Sequence, residues 1–142
     1  MPPPVVMASF ALLMWFIPSF DFEFPLRLAV AAVFFILALI VGAAALLGFR
    51  RAKTTVNPMK PEASSALVTA GIYRLSRNPM YLGMLLILAG WALVVSNLAA
   101  LAMLPLFVAY LNRFQIGPEE RALRARFGAE FENYCRTVRR WL

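Results

Sequence analysis

The stretch LAVAAVFFILALIVGAAALLGF, residues 28–49, decides the fold class of this chain because it holds no charged residue over 22 positions. At ~1.5 Å per residue, a helix of that length covers the ~30 Å hydrocarbon core of a bilayer. The whole chain has the same character, with 62% hydrophobic and only 15% charged residues, which is far from the usual balance of a soluble domain. Residues 28–49 therefore predict a membrane-spanning helix.

Two further apolar stretches predict the remaining helices. Residues 5–20 lack the basic start and the clear cleavage site of a signal peptide, so we expect a retained first helix that ends near Pro18. Residues 78–112 are too long for one span and long enough for two short ones, with a turn at Ser96-Asn97. The sequence thus predicts an all-α integral membrane bundle of about four transmembrane helices, of which the last two form a short hairpin.

The charges predict an orientation in the membrane. The chain has a net charge of +7, and its Lys and Arg residues concentrate in segments 50–77 and 113–140, whereas the connection at 21–23 is acidic. Four crossings put both basic segments on one side, which the positive-inside rule makes cytoplasmic. We therefore expect a multi-pass protein of the plasma (inner) membrane with both termini in the cytoplasm. Its basic segments would contact anionic lipid headgroups, so the charge requires no nucleic acid.

Several kinds of chemistry are excluded by the residues that the chain lacks. It has no His and a single Cys, Cys135, so neither a His/Cys metal site nor an intrachain disulfide is available, and we expect no metal. The sequence also contains no glycine-rich phosphate loop and no serine nucleophile elbow. The candidates that remain are polar residues of the two basic segments.

Those polar residues occupy patterned positions. Asn78 precedes Pro79, which predicts an N-cap at the start of the third helix. Pro118, followed by Glu119 and Glu120, predicts the start of a cytoplasmic amphipathic C-terminal helix. An apolar stripe continues along this tail and would face the membrane or the protein's own bundle; its members are Leu123, Phe127, Phe131, Tyr134, Cys135, Val138 and Trp141. By themselves these residues also suit plain helix starts and interfacial anchors.

The same residues carry a resemblance to a known family. GIYRLSRNPMYLG (71–83), an apolar hairpin and then PEERALRARFGAEFENY (118–134) resemble the isoprenylcysteine carboxyl methyltransferases and the related phospholipid methyltransferases. The resemblance covers about residues 54–142 and implies that residues 1–142 form a single membrane methyltransferase domain. It further implies S-adenosyl-L-methionine as cofactor, a lipophilic membrane substrate, and a set of cofactor-binding residues, namely Ser65, Ala66, Leu67, Val68, Tyr73, Asn78, Pro79, Met80, Tyr81 and Glu119.

The residue types suit that cofactor. Tyrosine rings can stack on adenine or attract the sulfonium cation, and a carboxylate can bind the ribose hydroxyls or the amino group. Arg74 and Arg77 are candidates for the cofactor carboxylate, or else for lipid headgroups.

Two positions depart from the family pattern and bear on the acceptor. Asn78 occupies the place of the family's usual histidine, so it can form hydrogen bonds but cannot titrate near neutral pH. Gln115 occupies the place of an arginine expected to bind the substrate carboxylate, and Arg113 lies two residues earlier. The expected substrate contacts are Arg113, Gln115 and Glu120.

Three readings of the function follow from these residues. An isoprenylcysteine-type carboxylate or a related lipid or thiol is the favoured acceptor, because such a nucleophile needs no strong base. Phosphatidylethanolamine-type N-methylation is the first alternative, and it would require a glutamate to take up a proton. A non-catalytic membrane subunit with a lipid-binding basic tail is the second. The oligomeric state stays open.

Overall fold

The computed structural model describes residues 1–18, 20–53 and 65–142. Within these ranges the regular elements are helical and no strand is present, so the predicted all-α class is confirmed. The α-helices are α1 (Pro3–Phe16), α2 (Arg27–Arg51), α3 (Pro79–Val95), α4 (Leu98–Leu111), α5 (Gly117–Phe127) and α6 (Ala129–Thr137). A 3-10 turn covers Gly71–Arg74, and a π-helical turn at Asn112–Ile116 joins α4 to α5. Residues 54–64, the first part of the family-like region, lie outside the described residues.

In the described part of the chain, two helices are long and apolar enough to cross a membrane: α2, with 25 residues, and the continuous helix Leu98–Phe127, with 30. Helices α1 and α3 are apolar but shorter, with 14 and 17 residues. The last part of the continuous helix is α5, which carries five charged residues in eleven: Glu119, Glu120, Arg121, Arg124 and Arg126. We therefore place α5 outside the hydrocarbon core and regard α4 and the π-turn as the spanning part.

The contact between α2 and α3 is built from small residues at intervals of seven. Ala31, Ala38 and Ala45 are the buried residues of α2. The backbone at Ala31 and Ala38 faces Gly90 and Gly83 of α3, and Ala45 packs in the cluster of Tyr73. A Cβ atom built on Gly90 would lie 3.2 Å from the carbonyl oxygen of Ala31, and one on Gly83 would lie 3.5 Å from that of Ala38. Because lipid tails are as apolar as side chains, helices in a membrane associate mainly through such close backbone packing.

A second contact surface joins α1 to the α3–α4 hairpin. Met14 of α1, Leu88 of α3 and Phe107 of α4 are fully buried in one apolar cluster. The rings of Phe10 and Phe107 meet edge to face with centroids 5.3 Å apart. Many of the other side chains of α2, such as Leu39, are exposed and form a surface suited to lipid.

The hairpin turn predicted at Ser96-Asn97 is confirmed. Ser96 adopts a left-handed conformation (φ 59°) and ends α3, and the Asn97 Oδ1 accepts hydrogen bonds from two backbone N–H groups in the first turn of α4 (2.8 and 3.3 Å). The Asn97 Nδ2 also donates to the carbonyl of Ile17 (2.8 Å), and the Arg27 guanidinium donates to the carbonyl of Leu93 (3.1 Å). These bonds tie the connection between α1 and α2 to the turn between α3 and α4.

Pro118 lies in the first turn of α5, as predicted, but α5 continues from α4 without a break. The chain remains helical from Leu98 through Phe127, and the backbone N–H of Gly117 donates to the carbonyl of Asn112 five residues earlier. A proline ring clashes with the carbonyl four residues before it in a regular α-helix, and the wider π-turn directly before Pro118 relieves that crowding. The helix ends only at Gly128, whose positive φ of 51° suits glycine.

The Gly90→Ala substitution tests the α2–α3 contact. The added methyl would lie 3.0 Å from the Phe35 ring and 3.2 Å from the backbone oxygen of Ala31, so we expect a destabilisation of about 1–3 kcal/mol, as for overpacked cores. Gly42→Ala is the matched control, because a Cβ atom there meets nothing within 4 Å. Thermal loss of helical circular dichroism in detergent measures both, and equal midpoints for the two variants would contradict the packing account.

Candidate functional site

The segment 65–74 lies against the C-terminal end of α2. Gly71 has a φ of 63°, which suits glycine, and it begins the 3-10 turn that leads to Arg74. Tyr73 is buried, and its ring meets Phe49 edge to face at 5.5 Å. A Cβ atom on Gly48 would lie 3.0 Å from the same ring, so the Tyr73 ring packs directly on the backbone of Gly48, where a side chain would leave too little space.

A groove of about 400 Å³ runs between this segment and α2. Its lining is mainly apolar and includes Leu47, Gly48 and Arg51 from α2 together with Leu67, Val68 and Gly71. Of the predicted cofactor residues in the segment, Val68 is buried, Ala66 and Leu67 are half-buried, and Ser65 is exposed. Leu67 and Val68 pack in the same apolar cluster as Tyr73 and Met80.

Asn78 precedes α3 as expected, but its side chain makes no hydrogen bond to the helix and the predicted N-cap is wrong. Its Nδ2 instead donates to the carbonyl of Arg140 (3.0 Å), and its backbone N–H donates to the Oγ of Ser76 (3.1 Å). Pro79 is fully buried at the first helical position, where its missing N–H leaves no unsatisfied donor. The amide group of Asn78 therefore anchors the C-terminal tail.

Tyr81 and Glu119 join the two motif regions that the hairpin separates in sequence. Tyr81 is buried in the cluster of α3 and α4, and its hydroxyl donates to the Glu119 carboxylate. Met80, the residue before it, packs on the opposite side with Tyr73. Burial is the main cause that raises the pKa of Glu119 from 4.5 to about 7; the hydrogen bond from Tyr81 acts against this shift, and the charge of Glu120 adds to it.

Glu120 binds two arginines from different parts of the chain. One oxygen lies 3.0 Å from the Arg77 Nη2, and the Arg140 Nη2 and Nε donate to the two carboxylate oxygens at 2.6 and 3.0 Å. The Glu120 carboxylate, predicted to contact substrate, is thus occupied by partners within the chain. Its hydrogen bond raises the pKa of Arg140 above the usual range. The Nε of Arg77 is buried with no hydrogen-bond partner among the described residues.

The other two predicted substrate contacts lie apart from these bonds. Gln115 is buried, and its Nε2 donates to the carbonyl of Met1 (2.6 Å). Arg113 is exposed on the helix surface next to Phe114, which is exposed as well. Among the described residues, neither forms a hydrogen bond or ion pair with Tyr81 or Glu119, so the structure does not join them to that pair.

The C-terminal tail contributes contacts that sequence reasoning missed. Tyr134 of α6 is buried, as the apolar stripe indicates, and its hydroxyl donates to the carbonyl of Tyr73 (2.7 Å). Burial raises the pKa of both tyrosines, so both stay neutral hydrogen-bond donors at physiological pH. Ser76, fully buried, and the backbone of Arg139, which accepts from the Arg77 N–H (3.0 Å), complete the contact. No motif marks these backbone partners in the sequence.

Comparison with known families decides the class of protein. The profile of the phospholipid methyltransferase family matches residues 26–130, which is well over half of the chain. The chain belongs to the phospholipid methyltransferase family. The match includes both motif regions and the spanning helices, so this phospholipid methyltransferase family member is a membrane protein of a methyltransferase family, as the sequence resemblance implies.

One curated relative adds to this assignment. A Haemophilus influenzae protein of uncharacterised function is 44% identical over 63 residues, which are 44% of this chain and 100% of that protein. No solved structure gives a significant match. Which residues of this family member bind the cofactor or the substrate stays a prediction.

The raised pKa of Glu119 predicts a pH-dependent stability. Between pH 4.5 and about 7 the Glu119 carboxyl is protonated in the folded protein but ionised in the unfolded chain. The free energy of unfolding therefore carries the full stabilising contribution of this proton below pH 4.5 and loses it as the pH rises through about 7. We expect Glu119→Gln, which keeps an acceptor for Tyr81, to raise the unfolding temperature at pH 8 but not at pH 5. Glu130→Gln, at an exposed glutamate, should change neither value; an equal effect of both substitutions would contradict the assignment.

Proposed function

We propose that this phospholipid methyltransferase family member transfers the methyl group of S-adenosyl-L-methionine to a lipophilic acceptor in the membrane. One observation carries the proposal: the hydrogen bond between Tyr81 and Glu119 unites the two family motifs at the basic end of the bundle. Met80, the residue before Tyr81, packs with Tyr73, which extends this site toward segment 65–74. A ligand with both polar and aromatic parts could contact the carboxylate of Glu119 and the rings of Tyr73 and Tyr81 together.

The residues present fit that cofactor. The buried Nε of Arg77 is a donor that has no partner among the described residues, and it suits the carboxylate of an amino-acid group. Glu119 offers a carboxylate for ribose hydroxyls or an ammonium, and Tyr73 and Tyr81 offer aromatic rings. Segment 65–68 would hold the cofactor along its backbone, with Asn78, Pro79 and Met80 at the start of α3 beside it. When bound, S-adenosyl-L-methionine supplies an electrophilic methyl group on a sulfonium.

The protein's own contribution to the transfer is positioning and exclusion of water. Buried Tyr81 and half-buried Glu119 have fixed positions because they hold each other, so they can orient a ligand without reorganising. A dry site also strengthens every electrostatic contact within it. The acceptor would enter laterally from the bilayer, since the site lies where α3 leaves the membrane.

An amine acceptor is the second candidate, and the surroundings of Glu119 favour it. Glu120 is paired with two arginines, which leaves Glu119 as the nearby carboxylate able to take up a proton, and its pKa of about 7 suits that role. For a carboxylate acceptor the expected donors are less well placed, because Gln115 is bonded to the Met1 carbonyl and Arg113 is exposed. These observations favour a phosphatidylethanolamine-type headgroup over an isoprenylcysteine carboxylate.

The proposed setting is a multi-pass protein of the plasma (inner) membrane with both termini in the cytoplasm. Arg50 and Arg51 end α2 at the same end of the bundle as the site, where they can contact anionic lipid headgroups. Cations at a helix C-terminus also interact favourably with the helix dipole.

Titration of the detergent-solubilised protein with S-adenosyl-L-methionine tests the cofactor. We expect Tyr81→Phe and Glu119→Ala each to weaken binding about tenfold, since each removes one partner of a buried hydrogen bond. Affinity should also fall as pH is lowered through about 7, because protonated Glu119 no longer attracts the donors of the ligand. Exposed Glu130→Ala is the matched control. No binding by the wild-type protein would instead favour the non-catalytic membrane subunit.

Methyl transfer from labelled cofactor to a panel of acceptors tests the substrate. The panel holds phosphatidylethanolamine, a prenylcysteine and a small thiol, each in the same detergent. We expect incorporation into the amine, and we expect Glu119→Gln to lower that rate about 100-fold because it removes the proton acceptor. Incorporation only into the prenylcysteine would overturn the preference for an amine and leave the cofactor assignment intact.

A further inference from the structure

Helix α5 carries both glutamates of the site but buries none of its own residues. The apolar packing of α5 is limited to Leu123 and Phe127, which are partly buried against the cluster of Tyr73, whereas the Tyr81–Glu119 contact requires one particular rotation of α5 about its axis. A helix with so little buried surface needs polar partners to hold its orientation. Those partners must come from neighbouring elements.

The tail after α6 contains one such partner, Arg140, and its backbone is hydrogen-bonded to the segment that enters α3. The carbonyl of Arg140 accepts hydrogen bonds from the Asn78 Nδ2 (3.0 Å) and the Ser76 Oγ (3.5 Å). The carbonyl of Arg139 accepts from the backbone N–H of Arg77 (3.0 Å). Residues 139 and 140 thus lie along residues 76–78, the segment that enters α3.

The side chain of Arg140 holds the other half of the site. Its guanidinium makes a two-point contact with Glu120, the residue after Glu119. The contacts form a closed ring, from Asn78 to Arg140, to Glu120 and Glu119, and back through Tyr81 to α3. Arg140 therefore links the segment before α3 to the first turn of α5, together with the direct ion pair between Arg77 and Glu120.

We propose that Arg140 is a positioning residue, whose backbone holds Asn78 while its guanidinium holds α5 in the rotation that brings Glu119 to Tyr81. The inference rests on the proposed function, because what is positioned is the site proposed for S-adenosyl-L-methionine. Arg140 need not touch the cofactor. Glu120 accordingly acts through its two arginines and has no direct contact with the acceptor.

Arg140→Gln compared with Arg139→Gln separates this role from a general effect of charge. Both substitutions remove one positive charge from neighbouring residues, but the Arg139 side chain is exposed and makes none of the ring's contacts. We expect Arg140→Gln to raise the Kd for S-adenosyl-L-methionine between about 10-fold and 100-fold, as misplaced groups do, and Arg139→Gln to leave it unchanged. Arg140→Lys should recover part of the loss, since lysine keeps the charge but not the two-point contact.

A pH profile of binding distinguishes positioning from mere stability. The groups that face Glu119 are Tyr81 from α3 and Glu120 on its own helix. Arg77 and Arg140 offset the negative charge of Glu120. Removing the Arg140 charge leaves Glu120 less neutralised, so the midpoint of the pH dependence should move upward in Arg140→Gln. Circular dichroism checks that the variant is folded. If Arg140→Gln does not fold, Arg140→Lys is used instead, and we expect its affinity for S-adenosyl-L-methionine to be about threefold to tenfold lower than that of the wild type.

The outcomes separate the two proposals. If the wild-type protein binds the cofactor and Arg140→Gln binds it equally well with the same pH midpoint, the positioning role is overturned and the proposed function stands. Wild-type affinity of Arg140→Lys, where the glutamine variant does not fold, overturns the positioning role in the same way. If the wild-type protein itself binds no S-adenosyl-L-methionine, the proposed function fails and the positioning role fails with it.

Discussion

The close approach of α2 and α3 is the contact from which the geometry of the site follows. The backbone at Ala31 and Ala38 meets Gly90 and Gly83, so the two helices approach each other closely at these positions. The helices run in opposite directions, which places the C-terminal end of α2 beside the start of α3. Segment 65–74 is thereby packed on Gly48, and Met80 and Tyr81 begin α3 beside it. The α2–α3 contact therefore fixes the position of segment 65–74, which packs on α2, relative to Met80 and Tyr81 of α3.

Polar bonds complete what apolar packing begins. In the spanning region, small residues and dispersion hold the helices together. At the basic end, α5 is amphipathic and charged and fully buries no residue, so hydrogen bonds and ion pairs add to the packing of Leu123 and Phe127 in setting the rotation of its glutamates. Glu120 with its two arginines and Glu119 with Tyr81 supply them. Half-buried charges of this kind are paired because an isolated charge would be costly to desolvate.

Local patterns predicted much of this architecture. The charge-free runs predicted the apolar helices, and Pro18, Ser96 and Asn97 marked their ends, because helix breaking and turn formation depend on neighbouring residues. The family motifs likewise predicted membership that the match over residues 26–130 confirms. Two local predictions were right in position but not in detail: Pro118 lies in the first turn of α5, which continues from α4 without a break, and Asn78 precedes α3 without a side-chain cap. In both cases a local preference was overridden, once by a π-turn and once by the carbonyl of a residue 62 positions away.

The sequence by itself determined the class of this protein: an all-α membrane bundle with a basic end that carries the motifs of a methyltransferase family. Charge, hydropathy and short motifs suffice for that, since the bilayer admits few solutions for 22 uncharged residues. Only the tertiary structure decided which polar groups meet. That Glu119 finds Tyr81, that Glu120 is held by Arg77 and Arg140, and that the tail closes over Asn78 are long-range contacts. Their geometry depends on helix rotation and packing, and no spacing along the chain encodes it.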